Sequence, residues 1–404
     1  MPRRSQSEQH RLNRPTANLR EHYGRPQSIS PERARGGRAS TNLGYWDGNV
    51  VYYDESGRPD RAVKNRKGRI LICLAATTPQ DPIYGEFFRD IATFQIQLAD
   101  TIRSRGDNVL IFADPSVAGF YLNHLPHELI LQQSMPDVNF GFYSPAICDK
   151  QVWFQYRDRS SDGTAGKKAQ ERLALVLRKY CGSNDYLMPR KSQIVLNGND
   201  IVDNDYDKVI VSARVFADNR SLSQTKGLME NRMRSIMGCT DVAVVPEGGK
   251  HAEYLSDQVA FIDRNVVAIS NALPSEQYRE VEQAIFRGFG DGCKVIGLDS
   301  QYESHKWRGF RSSCGLHVNL LMTDNNLYVP VFGHDRRNRN QSIALDDDLH
   351  DDIAAHTRKT VVGVEIDSII CRLGLTLRSL SWCVYGPLAD HLLDASKAQY
   401  KEQR

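Results

Sequence analysis

Eight cysteines stand out as groups able to do chemistry: Cys73, Cys148, Cys181, Cys239, Cys293, Cys314, Cys371 and Cys383. None forms a CxxC pair, so structural zinc has no support from spacing. Several lie in apolar, strand-like runs, which suits reduced, buried thiols in a cytosolic protein. A histidine and a carboxylate come close together at His251-Ala252-Glu253. In an extended segment both side chains share one face, as a base and an acid must to serve one substrate. The same triplet also reads as a polar loop after Gly248-Gly249.

Other polar clusters read as structure. Arg287-Gly288-Phe289-Gly290-Asp291-Gly292 follows a helix-like run and leads into a strand. That is the reverse of a phosphate loop's context, and the glycines are expected to end the helix. Asp346-Asp347-Asp348 and Asp351-Asp352, with His350 between them, suit a charged helix start rather than a metal site. His317 reads as a satisfied histidine within a strand, and Lys306-Trp307-Arg308 as ordinary surface. No metal and no cofactor is expected.

These residues are carried by a chain of 404 residues with 40% hydrophobic and 25% charged content, enough apolar material for a sizeable core. A net charge of +3 does not by itself argue for nucleic acid. No apolar stretch is long enough to cross a membrane, and a cytoplasmic protein is expected. Residues 1–40 carry nine arginines against three glutamates and few apolar residues. This segment is expected to be a disordered basic tail, able to meet nucleic acid or another acidic partner.

After a connecting segment (41–68) the pattern changes. Strand-like runs are expected at 69–75, 108–113, 151–156, 193–197, 208–213, 241–245, 258–262, 266–269, 294–298, 360–365 and 381–385. A hairpin is expected from 316–323 and 327–332 around Asp324-Asn325-Asn326. Helical spacing marks 86–105, 168–180, 222–237, 276–288 and 346–356. Close pairs of strands before single helices fit about five ββαβ units over 69–390 better than a doubly wound sheet. Residues 391–404 are read as a C-terminal tail.

Short motifs sit along this order. The strand at 108–113 ends in Asp114-Pro115, and Asp137-Val138-Asn139-Phe140-Gly141-Phe142-Tyr143-Ser144-Pro145 follows. Val152-Trp153-Phe154-Gln155-Tyr156 comes next, and later a turn at Asn197-Gly198-Asn199-Asp200-Ile201-Val202-Asp203-Asn204. Phe216-Ala217-Asp218-Asn219-Arg220 precedes a helix, and 313–333 holds Asn319, Pro330 and Phe332-Gly333. Ser381-Trp382-Cys383-Val384-Tyr385 comes last. Together they resemble the agmatine deiminases of the guanidino-group-modifying (pentein) superfamily, across residues 69–387. The resemblance implies a five-bladed α/β propeller of ββαβ repeats with its active site on the central axis.

It also implies a chemistry. A cysteine thiolate attacks a guanidinium carbon and forms a thiouronium intermediate, carboxylates clamp the planar cation, and a histidine moves protons. Cys383 falls at the family's cysteine, with Trp382 where a histidine usually precedes it. Phe142 falls where the family has a clamp carboxylate, and Asp137 keeps the other acidic position. The family's H-x-D-G falls on Tyr254 and Ser256 without a gap, on Leu255 and Asp257 with a one-residue gap, and on His251 and Glu253 with a three-residue insertion. The expected ligand is a small guanidino molecule such as agmatine or arginine. The alternative is a degenerate protein of this fold kept for binding or structure, with self-association open to it.

Overall fold

Strand β1 (Ile70–Ala75) is six buried residues in a row, as an uninterrupted apolar strand covered on both faces must be. The computed structural model describes residues 45–46, 49–50, 70–134, 146–147, 150–156, 175, 178–179, 190–222, 225–248, 254–300, 306–332 and 339–402. Helix α1 (Phe88–Ser104) buries Ile91, Phe94, Leu98 and Ile102 along one stripe. It returns the chain to β2 (Asn108–Ala113), parallel to β1. The Asp114 side chain accepts from Ser116 N and caps α2 (Pro115–Leu122), whose first residue is proline. Then β3 (Ile130–Gln132) adds in parallel to β2.

The next four sheets repeat one plan, an antiparallel pair and a third strand parallel to the second, and in the last three of them a helical crossover joins the second strand to the third. The second sheet is β4 (Ala146–Ile147), β5 (Lys150–Tyr156) and β6 (Arg190–Leu196). The third is β7 (Ile201–Asp203) and β8 (Lys208–Ser212), crossing through α3 (Ala213–Asp218) and α4 (Lys226–Met237) to β9 (Asp241–Val245). The fourth is β10 (Val259–Asp263) and β11 (Val266–Ser270), crossing through α5 (Ser275–Phe289) to β12 (Lys294–Leu298). The fifth is β13 (Leu321–Met322) and β14 (Asn326–Val331), crossing through α6 (Arg339–Ala354) to β15 (Thr360–Glu365).

Two short helices, α7 (Ser368–Arg372) and α8 (Leu377–Leu380), lead to β16 (Ser381–Tyr385). This last strand pairs antiparallel with β1, placing Cys383 opposite Ile72. The first sheet therefore runs β16-β1-β2-β3 and also begins with an antiparallel pair. Its side chains alternate between two apolar layers. Ile72 and Leu74 join the layer under α1, while Leu71, Cys73, Trp382 and Val384 pack with Leu388 and Leu392 of α9 (Pro387–Glu402).

Neighbouring units press closely together. Helix α5 lies on β9, where a Cβ at Gly288 would stand 2.5 Å from Ala243 Cβ. The helix ends at Gly290, whose φ of 69° only glycine adopts freely, as its glycine-rich sequence led us to expect.

Several expectations need correction. Residues 387–402 form α9 and cover the first sheet, so a boundary at 390 would cut a packed helix. The strand expected at 316–323 shrinks to Leu321–Met322, because 313–320 is turn and coil. His317 therefore lies outside a strand; it is buried, with Nε2 3.2 Å from Asp346 Oδ1. The acidic run is mid-helix, since α6 begins at Arg339. Lys306-Trp307-Arg308 is surface, as expected, with Arg308 over the rings of Trp307 and Phe87 and paired with Glu86. Cys314 and Cys371 are joined in a disulfide, so the thiols are not uniformly reduced. The basic tail at 1–40 lies outside the described residues, and no described helix is long and apolar enough to cross a membrane.

Candidate functional site

An acidic turn follows β7, in the run Asp203-Asn204-Asp205-Tyr206-Asp207-Lys208. Asn204 is its hub. The buried side-chain oxygen accepts from the backbone N–H groups of Tyr206, Asp207 and Lys208 at 2.8–2.9 Å. Its amide nitrogen donates to Asp207 Oδ1 and Arg264 O, both at 2.9 Å. Asp205 has φ 58°, a left-handed conformation that aspartate tolerates better than most residues. Its N–H donates to Asp203 Oδ1 at 2.9 Å. Two carboxylates are thus fixed side by side. Burial, then the charge of Asp205, pushes the Asp203 carboxyl well above its ordinary range, with Arg378 working against the shift.

Arg378 arrives from the far end of the chain. A reciprocal cap holds α8: Thr376 Oγ1 accepts from Ser379 N at 3.0 Å and Ser379 Oγ accepts from Thr376 N at 2.9 Å. From this helix the Arg378 guanidinium donates to Ile201 O at 2.6 Å, on the strand that carries Asp203. Burial lowers its pKa, while the negative charges of Asp203, Asp205 and a Cys383 thiolate oppose that.

Cys383 is half-buried in β16, five residues beyond Arg378. Burial pushes its thiol well above the ordinary value, and Asp205 and Asp203 add to the effect while Arg378 counters it. The shift favours the protonated thiol, and positive charge brought closer would favour the thiolate. Tyr328, also coupled to Cys383 by charge, donates its hydroxyl to Asp107 at 2.8 Å.

A second acid–arginine group stands close by. The turn Leu255–Asp257 packs on β7. The Asp257 carboxylate accepts from Asn319 Nδ2 at 3.1 Å and lies 3.8 Å from Arg311 Nη1. It is already engaged by side chains of its own chain.

The expected site residues therefore divide. Cys383 sits in an acidic centre, and Asp257 lies beside the neighbouring strand. Trp382 points away from Cys383, because successive strand residues face opposite layers, and it packs under α9. Trp382, which falls where the family has a histidine, thus lies in a different layer from Cys383. His251, Glu253, Asp137 and Phe142 lie outside the described residues. The sequence reading missed Asp203, Asp205 and Arg378. Asp203 lies within the turn at 197–204 that the sequence reading singled out, but was given no role there.

Three-dimensional comparison places the chain among solved structures. An agmatine deiminase from C. jejuni matches with a TM-score of 0.58 at 14% identity, covering 85% of this chain and 99% of that one. A putative peptidyl-arginine deiminase matches with a TM-score of 0.59 at 14% identity, covering 78% and 96%. Agmatine deiminase of Enterococcus faecalis matches with a TM-score of 0.56 at 14% identity, covering 78% and 93%. The chain has the agmatine-deiminase-like, pentein fold. No family model matches the sequence and no curated protein matches it. The agmatine-deiminase-like fold is thus carried by the order and pairing of its strands. Within it, Cys383, Asp203, Asp205 and Arg378 come from the first and third sheets and the α8 segment.

Proposed function

We propose that this protein is a five-bladed propeller built around a guanidinium-binding centre, and that its own Arg378 fills that centre. On this reading the chain is a non-hydrolytic relative of the agmatine deiminases, kept for binding or structural work. Five sheets of one strand pattern support the propeller, as does contact between their leading strands, β16 with β4 and β7 with β10. The observation that carries the functional reading is the 2.6 Å hydrogen bond from Arg378 to Ile201 O. It brings a guanidinium to the strand bearing Asp203, where carboxylates would otherwise meet a ligand's guanidinium. Three features agree with it. Cys383 rests as a thiol, Asp257 is held by Arg311 and Asn319, and Trp382 stands in the family's histidine position.

Cys383 beside two carboxylates favours a second reading, hydrolysis of a guanidino compound. A ligand cation that displaced Arg378 and sat closer to the sulfur than Arg378 does would favour the Cys383 thiolate. The sulfur would attack the guanidinium carbon, ammonia would leave the tetrahedral adduct to give the thiouronium, and water would then attack that carbon and release the ureido product and the free thiol. The resemblance gives the proton transfers to His251 and the second clamp to Glu253. One matched structure is a cysteine-to-serine variant of the C. jejuni enzyme with substrate bound. Ammonia release from agmatine and arginine separates the two readings. Our reading expects none above the Cys383→Ala background, and turnover that Cys383→Ala abolishes would overturn it in favour of hydrolysis.

A further inference from the structure

Both arginines of the site ride on segments that one disulfide ties together. Arg311 ends the hairpin of Lys306–Trp307 and Phe310–Arg311, which packs on Tyr84 and Phe87. Shortly beyond it, Cys314 is bonded to Cys371 of α7, across a sequence separation of 57. Arg378 follows in α8. Around the disulfide the two segments are stitched by hydrogen bonds. Ser313 N donates to Cys371 O at 2.8 Å and Ser313 Oγ donates to Leu375 O at 2.8 Å. Gly374, at φ 73°, approaches the hairpin so closely that a Cβ there would stand 2.6 Å from Arg311 O. The arginine that engages Asp257 and the arginine beside Asp203 are therefore set by one cross-linked unit.

We propose that the Cys314–Cys371 disulfide is a redox latch that keeps Arg311 and Arg378 in the site, and that its reduction opens the site to an external guanidinium cation. The proposal rests on the reading that Arg378 fills the centre. Cys371 is buried and Cys314 half-buried, so an incoming thiolate reaches the Cys314 sulfur first. A dithiol supplies the two electrons and two protons. It attacks Cys314 to give a mixed disulfide, releases Cys371 as a thiol, then closes to its own cyclic disulfide and leaves Cys314 as a thiol. Without the bond, the 311–314 and 371–378 segments keep their hydrogen bonds and apolar packing but lose the covalent tie, and separate more often.

The test is calorimetric titration of ethylguanidine into four forms of the full chain: air-oxidised, dithiothreitol-reduced, Cys314→Ser/Cys371→Ser, and Arg378→Ala. Intact mass reports the redox state, and circular dichroism reports the fold. We expect reduction and the double substitution each to tighten binding at least about tenfold over the oxidised form, since a tenfold rise in the binding-competent fraction lowers the apparent Kd tenfold. Arg378→Ala should bind in either redox state. If Arg378→Ala binds while the reduced protein binds no better than the oxidised one, the latch is overturned and the filled-centre reading stands. If Arg378→Ala does not bind either, the reading falls and the latch with it. Should the double variant fail to fold, the reduced wild type decides. Free thiols at Cys314 and Cys371 in air-oxidised protein would also overturn the proposal.

Discussion

Breaking the Cys314–Cys371 bond should destabilise the fold by an amount that its sequence separation sets. The bond closes a loop across 57 positions. Relative to a free chain, the chain-entropy relation gives a loss of about 14 cal/mol/K for a loop of this size, or about 4 kcal/mol at 25 °C. Against a native stability of roughly 5–15 kcal/mol, the reduced protein is weakened but still folded, as ligand titration of the reduced form requires. The assay is guanidinium chloride unfolding of oxidised and reduced protein followed by circular dichroism. The stability extrapolated to water should fall by about 4 kcal/mol. The slope of stability against denaturant should rise, because an uncrosslinked denatured chain exposes more surface. Cys314→Ser/Cys371→Ser should match the reduced wild type. A loss below about 1 kcal/mol with an unchanged slope would refute the reasoning, since the unfolded chain would then gain nothing on reduction.

Three further outcomes are expected. Arg378→Met removes the cation opposing the raised Asp203 carboxyl. A carboxyl with a raised folded pKa stabilises below its unfolded value and loses that contribution as pH rises through the folded one. The substitution should therefore cost about 1–3 kcal/mol near neutral pH and less near pH 4, with Asp203→Asn relieving it; a pH-independent cost in urea unfolding would contradict this. Cys383 should react with iodoacetamide at neutral pH at least about tenfold more slowly than an unhindered thiol. Its rate should climb with pH and rise in Asp205→Asn, because that carboxylate adds to the upward shift of the thiol; peptide-level mass spectrometry reads the rate, and ordinary reactivity would refute the protonated resting state. Gly288→Val should lower stability by about 1–3 kcal/mol by overpacking, since Ala243 leaves no room for its Cβ, and a melting temperature equal to wild type would count against the close approach.

Periodic burial made much of the fold legible in the sequence. The apolar runs at β1, β8 and β11 and the stripe on α1 state their own geometry, because each needs only local spacing to declare a strand or helix. The ββαβ order followed from their sequence. The start of α6 was not legible, as Arg339-Asn340-Gln341 has no apolar rhythm, and the acids further on read as the beginning. The site was harder. Arg378 and Ile201 meet only because β16 returns to β1 and α8 is then carried to β7, and no local pattern encodes that contact. Asp205 is made a neighbour of Asp203 by a left-handed turn residue, which residue type alone does not specify. The disulfide joins two cysteines with no motif around either, and connectivity among eight cysteines cannot be deduced from spacing.

The pairing of β16 with β1 also sets a timetable for synthesis. Ile72 leaves the ribosome early, but its partner Cys383 emerges about 300 residues later, some 15–60 s at ordinary elongation rates. Through that interval one side of an all-apolar strand offers unpaired N–H and C=O groups to any extended segment nearby. A nascent or truncated chain that lacks its last strands is thus a template for misassembly, and its earliest sheet is among the last to be completed.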